Sequence, residues 1–314
     1  MTIGHGVALP QTLRVVVRDW LNANNIVLLQ DGHNVLVDTG YASHALETLA
    51  LLRRPEHLGG QPLHLIANTH CHSDHMGGNA ALARAYACPI AVPEHEAALV
   101  RSWDTHGLWL DFTDQRAERF TVAQELRAGE RYRWGELWWE AIAAPGHDAG
   151  ALVFYCAEAR LLLSGDALWE NGFGVVLPDR RGALAAARST LEHLAALAID
   201  VVVPGHGCPF ADVAAAIERS LQRVAAFENN PARLARHALK VMLVFTLLDR
   251  GRLPLSTLPG YLDSVPVYRD YNRAYLGLEP EALAELLVGE LERAGIVERS
   301  GRFLTPAGRS GPTS

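Results

Sequence analysis

Residues 69–78 read Thr69-His70-Cys71-His72-Ser73-Asp74-His75-Met76-Gly77-Gly78. From His70 to His75, six positions hold three imidazoles and one carboxylate, a density of metal-binding groups that solvation alone does not explain. The stretch follows an apolar run, Leu63-His64-Leu65-Ile66-Ala67-Asn68, which reads as a buried strand delivering the chain to His70. In a tight turn leaving such a strand, alternate residues converge on one side. His70 and His72 then share one ion, while Asp74 and His75 face a neighbouring one. Gly77 and Gly78 permit a close backbone turn into a following helix, whose N-terminus favours anionic groups beside the site.

Three further candidates lie outward along the chain: His147 in 144–150 (APGHDAG), Asp166 in 161–168 (LLLSGDAL) and His206 in 201–207 (VVVPGHG). Each follows a β-rich run and a glycine, and α/β folds gather active sites from the ends of different strands of one sheet. All seven residues offer nitrogen or oxygen, so ions that select thiolates are not indicated.

The rest of the pattern alternates strand and helix. Residues 24–39 (NNIVLLQDGHNVLVDT) place two β-rich runs around Asp31-Gly32, a hairpin signal. Helices are expected over 43–54, 77–87, 94–103 and 182–197, and strands in 87–93, 137–145, 151–156, 160–166 and 199–207. Residues 103–119 are aromatic-rich and weakly patterned, a loop or irregular helix over a site. After Phe210 only helices are expected, with a break at Asn229-Asn230-Pro231, until the terminal helix 280–296 and the ribbon 297–308, which have the pattern of a winged helix. The chain therefore divides into a main α/β domain over 1–225, a small helical, winged-helix-like domain over 226–304 and a frayed tail over 305–314, rich in Pro, Gly and Ser.

Composition narrows the function. The chain has 314 residues, 49% hydrophobic and 20% charged, with a formal net charge of −7, an ordinary globular profile. Residues 210–314 hold 13 Lys or Arg against 12 Asp or Glu, leaving 15 against 23 for the rest. An acidic body is a poor partner for nucleic acid, whose binding depends on basic groups replacing counterions; the winged-helix pattern is read instead as an appendage trimming the mouth of the site. Without an 18-residue apolar run or a secretory leader in the first twenty residues, the expectation is a cytoplasmic protein with no membrane association. Cys71, Cys88, Cys156 and Cys208 are scattered and read as free thiols. Alternation turns Cys71 away from the metals, to pack as a small buried hydrophobe.

The motif His70-x-His72-x-Asp74-His75, followed in order by His147, Asp166 and His206, resembles the signature of the metallo-β-lactamase superfamily. The likeness runs from the hairpin at Asn24 through Val37-Asp38-Thr39-Gly40 to Pro204-Gly205-His206-Gly207, about the first two thirds of the chain. It implies a four-layer αββα sandwich. It also implies two divalent ions, zinc favoured with iron or manganese as alternatives. His70, His72 and His147 would hold the first ion, Asp74, His75 and His206 the second, and Asp166 would bridge them. A metal-bridging hydroxide, oriented by Asp74 as the catalytic carboxylate, would then cleave an ester, thioester or lactone of a small molecule, as in the glyoxalase II branch.

Other readings compete with this one. A mononuclear-iron persulfide dioxygenase would leave the second donor set unused. A metal-dependent nuclease finds support in the winged-helix pattern, but the acidic body opposes it. So does the absence of a long insert, His147 and Asp166 being 19 residues apart and Asp166 and His206 40. A noncatalytic binding module would not need all seven donors. No basic cluster that would clamp a glutathione carboxylate is evident in the sequence. Trp103, His106, Trp109, Trp169 and Phe173 are candidates to wall an apolar substrate pocket, whereas Trp134, Trp138 and Trp139 read as core or sheet-face residues. The oligomeric state, a homodimer included, is left open.

Overall fold

The computed structural model describes residues 2–3, 7–178 and 182–307. After a minimal pairing of β1 (Thr2–Ile3) with β2 (Val7–Ala8), the chain builds a six-stranded sheet from β3 (Leu13–Val16), β4 (Asn25–Leu28), β5 (Val35–Val37), β6 (Leu65–Ala67), β7 (Ile90–Pro93) and β8 (Gln124–Leu126), in that spatial order. The first three are antiparallel, and β5 to β8 are parallel. The parallel pairs require crossovers. These are supplied by α1 (Ala45–Leu52), the one-turn α2 (Ser73–Met76), α3 (Asn79–Tyr86), α4 (Glu94–Ser102) and the short α5 (Leu110–Thr113).

A second sheet has the order β13-β12-β11-β10-β9, formed by β9 (Arg131–Trp134), β10 (Leu137–Ala143), β11 (Leu152–Cys156), β12 (Leu161–Gly165) and β13 (Val201–Pro204). Only its last pair, β12 with β13, is parallel, and α6 (Ala183–Ala195) makes that crossover.

Side-chain parity sorts the layers. Val15, Ile26, Leu28, Val35 and Val37 of the first sheet meet Trp139, Phe154, Leu163 and Val203 of the second in one buried cluster. The alternate residues Val16, Val27, Leu36 and Ile66 face outward onto Leu49, Leu52 and Val100 of the helices. On the other side Val153, Leu162 and Val202 pack on Leu191 and Leu194 of α6 and on Ile217 of α7 (Val213–Glu228). Because strand side chains alternate between faces, this division is the four-layer αββα arrangement, with the central strands buried on both faces and the outer face of β9 and β10 exposed. Phe154 and Leu163 sit opposite each other on neighbouring strands, and both are fully buried.

The remaining chain comprises α8 (Pro231–Arg250), β14 (Leu253–Pro254), α9 (Leu258–Ser264), α10 (Pro266–Tyr271), α11 (Pro280–Arg293), β15 (Val297–Ser300) and β16 (Phe303–Pro306). Asn230 caps α8 by accepting the Arg233 amide at 2.9 Å, ahead of Pro231 at the first helical position, a favoured helix start. The expectation of helices alone up to residue 296 is corrected by β14, which joins the terminal ribbon in the order β14-β16-β15. A helix, a short strand, further helices and a hairpin whose second strand pairs with that short strand is winged-helix topology.

Two boundaries also move. Residue 225, the expected end of the main part, falls inside α7, and the helices break after it at Asn229-Asn230. Thr305 and Pro306, expected in a frayed tail, pair with Glu298 and Val297, beside the fully buried Leu304; residues 308–314 lie outside the described part. The C-terminal elements do not stand apart. Trp109, Val175 and Leu177 of the sandwich share one core with Leu239, Leu243 and Leu247 of α8 and Leu287 of α11, so α8 is held against the mouth of the site.

Candidate metal centre

All seven donors lie where strands of the two sheets end. His70 and His72 follow β6; Asp74 and His75 occupy the single turn of α2; His147 follows β10; Asp166 follows β12; His206 follows β13. The sharp exit after β6 depends on glycine. A Cβ on Gly77 would lie 2.3 Å from the Ser73 carbonyl and 2.5 Å from the Ala42 amide, so only glycine lets α2 press against the segment after β5. Gly205 serves the opposite strand, since a Cβ there would stand 2.4 Å from Asp166 Oδ1.

The donors form two groups, His70 with His72 and His147, and Asp74 with His75, Asp166 and His206, all buried, the candidate atoms of each group within 4.8 Å of one another. In the first group His72 Nδ1 lies 3.1 Å from His70 Nε2 and 2.7 Å from His147 Nε2. In the second, His206 Nε2 is 3.0 Å from Asp74 Oδ2, and His75 Nε2 is 3.2 Å from Asp166 Oδ1. Asp166 faces both groups, its other oxygen 3.4 Å from His147 Nε2.

Outer contacts fix which ring nitrogen faces inward, as metal-binding imidazoles require. His147 Nδ1 donates to the Val175 carbonyl at 2.6 Å, and His75 Nδ1 meets Asp38 Oδ2 at 2.8 Å. His70 Nδ1 is 3.1 Å from the Thr69 hydroxyl. Asp38 also accepts the Thr69 amide and hydroxyl, and its φ of 58° lies in the left-handed region that Asp tolerates better than most residues. His75 Nε2 is buried without a hydrogen-bond partner. A buried polar atom left in that state is costly, and a divalent ion between it and the carboxylates satisfies it. The donor set, nitrogen and oxygen only, fits such ions.

The two groups differ in charge. Burial, then the neighbouring His75, His72 and His147, hold the His70 imidazole well below its ordinary pKa. Burial followed by His72 lowers His147 to about 4. Both are therefore neutral near pH 7, the form that coordinates metal. In the second group burial also opposes charge on His75, but Asp166, Asp38 and Asp74 outweigh it and raise its pKa well above the usual value. Burial opposes ionisation of Asp166 and Asp74 as well; nearby histidines, His75 first, prevail and keep both carboxyls below their ordinary range.

Cys71 points into the core between the first sheet and its helices, fully buried. Its amide donates to Glu96 Oε1 at 2.9 Å, and burial, then Glu96, push its thiol well upward, so it is neither a donor nor a nucleophile. Cys208 lines the cavity beside His206.

Among the aromatic candidates, Trp109 lies over His72 with ring centroids 4.6 Å apart, its φ of 62° marking a strained backbone. The Trp169 indole N–H donates to Asp166 Oδ1 at 3.3 Å. Phe173 lines the adjoining cavity. Trp103 packs edge-on against Phe120, and His106 against Phe112, because the turn preceding α5 directs both into packing contacts; neither lines the cavities at the donors. Several neighbours of the site were not among the candidates read from the sequence. Asp38 lies in a strand-end turn, Asp148 follows a donor and stands 3.5 Å from His72 Nε2, and Trp20, half exposed, stacks near Trp169 and His206 at 5.2 and 5.3 Å. Val241, Met242 and Phe245 of α8 close the pocket from the C-terminal part.

The sequence profile described as the metallo-beta-lactamase superfamily matches residues 18–206. The chain belongs to the metallo-β-lactamase superfamily. Within this superfamily it resembles hydroxyacylglutathione hydrolases of Brucella ovis and Brucella abortus, each 28% identical over 177 residues, which cover 56% of the chain and 59% of each relative. The matched segment thus spans less than two thirds of those relatives' length. Among solved structures, a metallo-β-lactamase family protein from Thermus thermophilus aligns over 95% of the chain and 100% of its own, at 22% identity and a TM-score of 0.54. A metallo-β-lactamase from Cronobacter sakazakii aligns over 73% and 98%, at 20% identity and a TM-score of 0.57. These likenesses support the fold. Among the described residues no helix is long and apolar enough to cross a membrane.

Proposed function

We propose that the chain is a binuclear metal-dependent hydrolase that cleaves an ester, thioester or lactone of a small molecule. The observation that carries this reading is the Asp166 carboxylate, which turns one oxygen to His147 at 3.4 Å and the other to His75 at 3.2 Å and so joins two complete donor sets. His70, His72 and His147 would hold one ion, Asp74, His75 and His206 the other, with Asp166 between them. Bound there, divalent ions supply an acidified water, its pKa lowered to about 7, and a Lewis acid for the acyl carbonyl. Zinc suits the three-imidazole set; iron and manganese are the alternatives for the second.

The chain's own groups do the positioning. Asp74, kept ionised by His75 and His206, is placed to accept a proton from attacking water. Trp109 and Trp169 exclude bulk solvent from either side of the donors. In the overall reaction the acyl carbon gains a bond to water oxygen and loses its bond to sulfur or oxygen, and the leaving group departs with the proton. The Brucella relatives, named for hydrolysis of a thioester of glutathione, favour the thioester among the three bond types. The test is thiol release from a panel of acyl thioesters, with esters and lactones alongside. Release that a chelator abolishes and zinc restores is expected; no release from any compound would overturn the reading.

A nuclease is the second reading, favoured by the winged-helix topology at the C-terminus. The net charge of −7 opposes it, and cleavage of single-stranded RNA in preference to the acyl panel would establish it. A persulfide dioxygenase with a single iron would leave Asp74, His75 and His206 without a role.

A further inference from the structure

Beside the donors, a cavity of about 470 Å³ passes Trp20, Trp169 and His206 and reaches Arg223 and His237. Those last two residues also line a second cleft of about 450 Å³, between α7 and α8, whose walls include Arg219, Arg233, Arg236 and Lys240. The two helices thus carry five permanent cations into one groove, although they lie in a C-terminal stretch whose charges nearly cancel by count. The helical hairpin produces this. Its break at Asn229-Asn230 folds Arg219 and Arg223 of one helix against Arg233, Arg236 and Lys240 of the next, so residues distant in sequence become neighbours.

The cations are unequally compensated. Arg236 and Lys240 share Glu290 at 3.4 and 2.7 Å, and Arg219 donates to the Glu170 carbonyl at 2.7 Å. Among the described residues Arg223 and Arg233 have no carboxylate partner within ion-pair distance. The Arg223 guanidinium lies against Gly172, where a Cβ would meet it at 2.4 Å, and desolvation, then Arg233, lower its pKa. His237, turned neutral by burial followed by Arg223 and Lys240, titrates at about 4 and adds no charge. Like charges held together without counter-charge are unfavourable until an anion arrives. Guanidinium groups bind phosphate oxygens through paired, charge-assisted hydrogen bonds, stronger than neutral ones.

Resting on the hydrolase reading, we propose that the substrate's leaving group carries a phosphorylated handle, which passes Trp20 and Trp169 from the metal donors and is held by Arg223 and Arg233 in the α7–α8 groove. The substrate class is then an acyl thioester or ester of a phosphate-bearing carrier. Phosphate rather than a single carboxylate is indicated because two uncompensated guanidiniums, flanked by Lys240 and Arg236, match a group with three acceptor oxygens and about two negative charges. The passage between, where Trp20, Trp169, Phe173 and Val241 stand beside polar Asn171, fits the uncharged middle of such a carrier.

The experiment uses the full, zinc-loaded chain and its R223A/R233A variant, with R223K as a charge-preserving control. Thioesters bearing one acyl group on coenzyme A, pantetheine or glutathione are compared by kcat and KM, and pyrophosphate binding is measured separately by calorimetry. The wild type is expected to prefer the coenzyme A thioester over the pantetheine thioester by about tenfold or more in kcat/KM, a difference of about 1.4 kcal/mol. R223A/R233A should raise KM for the coenzyme A thioester, leave its kcat and the pantetheine kinetics unchanged, and abolish pyrophosphate binding, while R223K retains it. Equal use of the coenzyme A and pantetheine thioesters, or a glutathione preference that the variant removes, would overturn the proposal. So would RNA binding that is lost in the variant while pyrophosphate never binds. Pyrophosphate binding that the variant loses, without hydrolysis of any thioester, ester or lactone, would support the anion site and refute the hydrolase reading instead.

Discussion

The cluster of His70, His72 and His147 offers three imidazoles and no carboxylate of its own, whereas its neighbour offers Asp74 and Asp166 beside His75 and His206. The same burial acts on both, with different results. In the first, burial and mutual repulsion keep His70 and His147 neutral and ready to coordinate. In the second, two carboxylates and Asp38 hold a proton on His75 until an ion replaces it. The centre thus sets an all-imidazole candidate metal site beside one that includes carboxylates, and Asp166 faces both.

The largest effect expected from breaking this arrangement is at Asp166. D166N keeps the shape but removes the charge facing both groups, and kcat/KM should fall by about three orders of magnitude; steady-state kinetics on a hydrolysed thioester check it, and a change confined to KM would contradict the assignment. The comparison sharpens at Asp38, which touches only the second group. D38N, chosen because Asn tolerates the left-handed backbone there, should weaken zinc at that site by about tenfold, the lower end of outer-shell effects, and leave the other site unchanged. Chelator competition reads both constants, and equal weakening would erase the distinction.

Acid should separate the two ions in the same direction. Metal binding must displace the His75 proton, whose pKa is raised, so affinity at the second group falls as pH drops through and below that value, by up to about tenfold per unit. At His70, held well below its ordinary value, and at His147, lowered to about 4, there is little proton to displace until the pH is far lower. Metal release during acid titration should therefore come in two steps, with the ion lost first being the one absent from H206A; a single step would contradict the electrostatics. The smallest effect belongs to Cys71. C71A removes a buried sulfur from the helix-facing core and should lower thermal stability with little change in kcat/KM.

The clustering of the seven candidates was legible because metal chemistry restricts residue types, and strand ends bring them together: His70 to His75 announce themselves in six residues, and the glycine before each of His147, Asp166 and His206 marks a strand exit. The layers were legible through alternation, as in Asn25–Leu28 and Val35–Val37. What escaped the sequence depends on tertiary proximity. Asp38 is an ordinary turn carboxylate until β5 lies beside β6, and Trp20 is one exposed aromatic until β13 brings His206 against it. Strand β14 is two residues long and shows no period, and the basic groove exists only because α7 and α8 fold back on each other. Trp103 and His106 misled because an aromatic-rich loop does not reveal which ring faces the cavity and which turns away from it, Trp103 onto the core and His106 toward solvent.

The most direct measurement is the number of ions bound per chain, by elemental analysis of protein purified without a metal-binding tag, alongside H72A and H206A. The account predicts about two divalent ions in the wild type and about one in each variant, held by opposite donor sets. A single ion in a wild-type chain that hydrolyses its substrate fully, or no change in content for H206A, would contradict it.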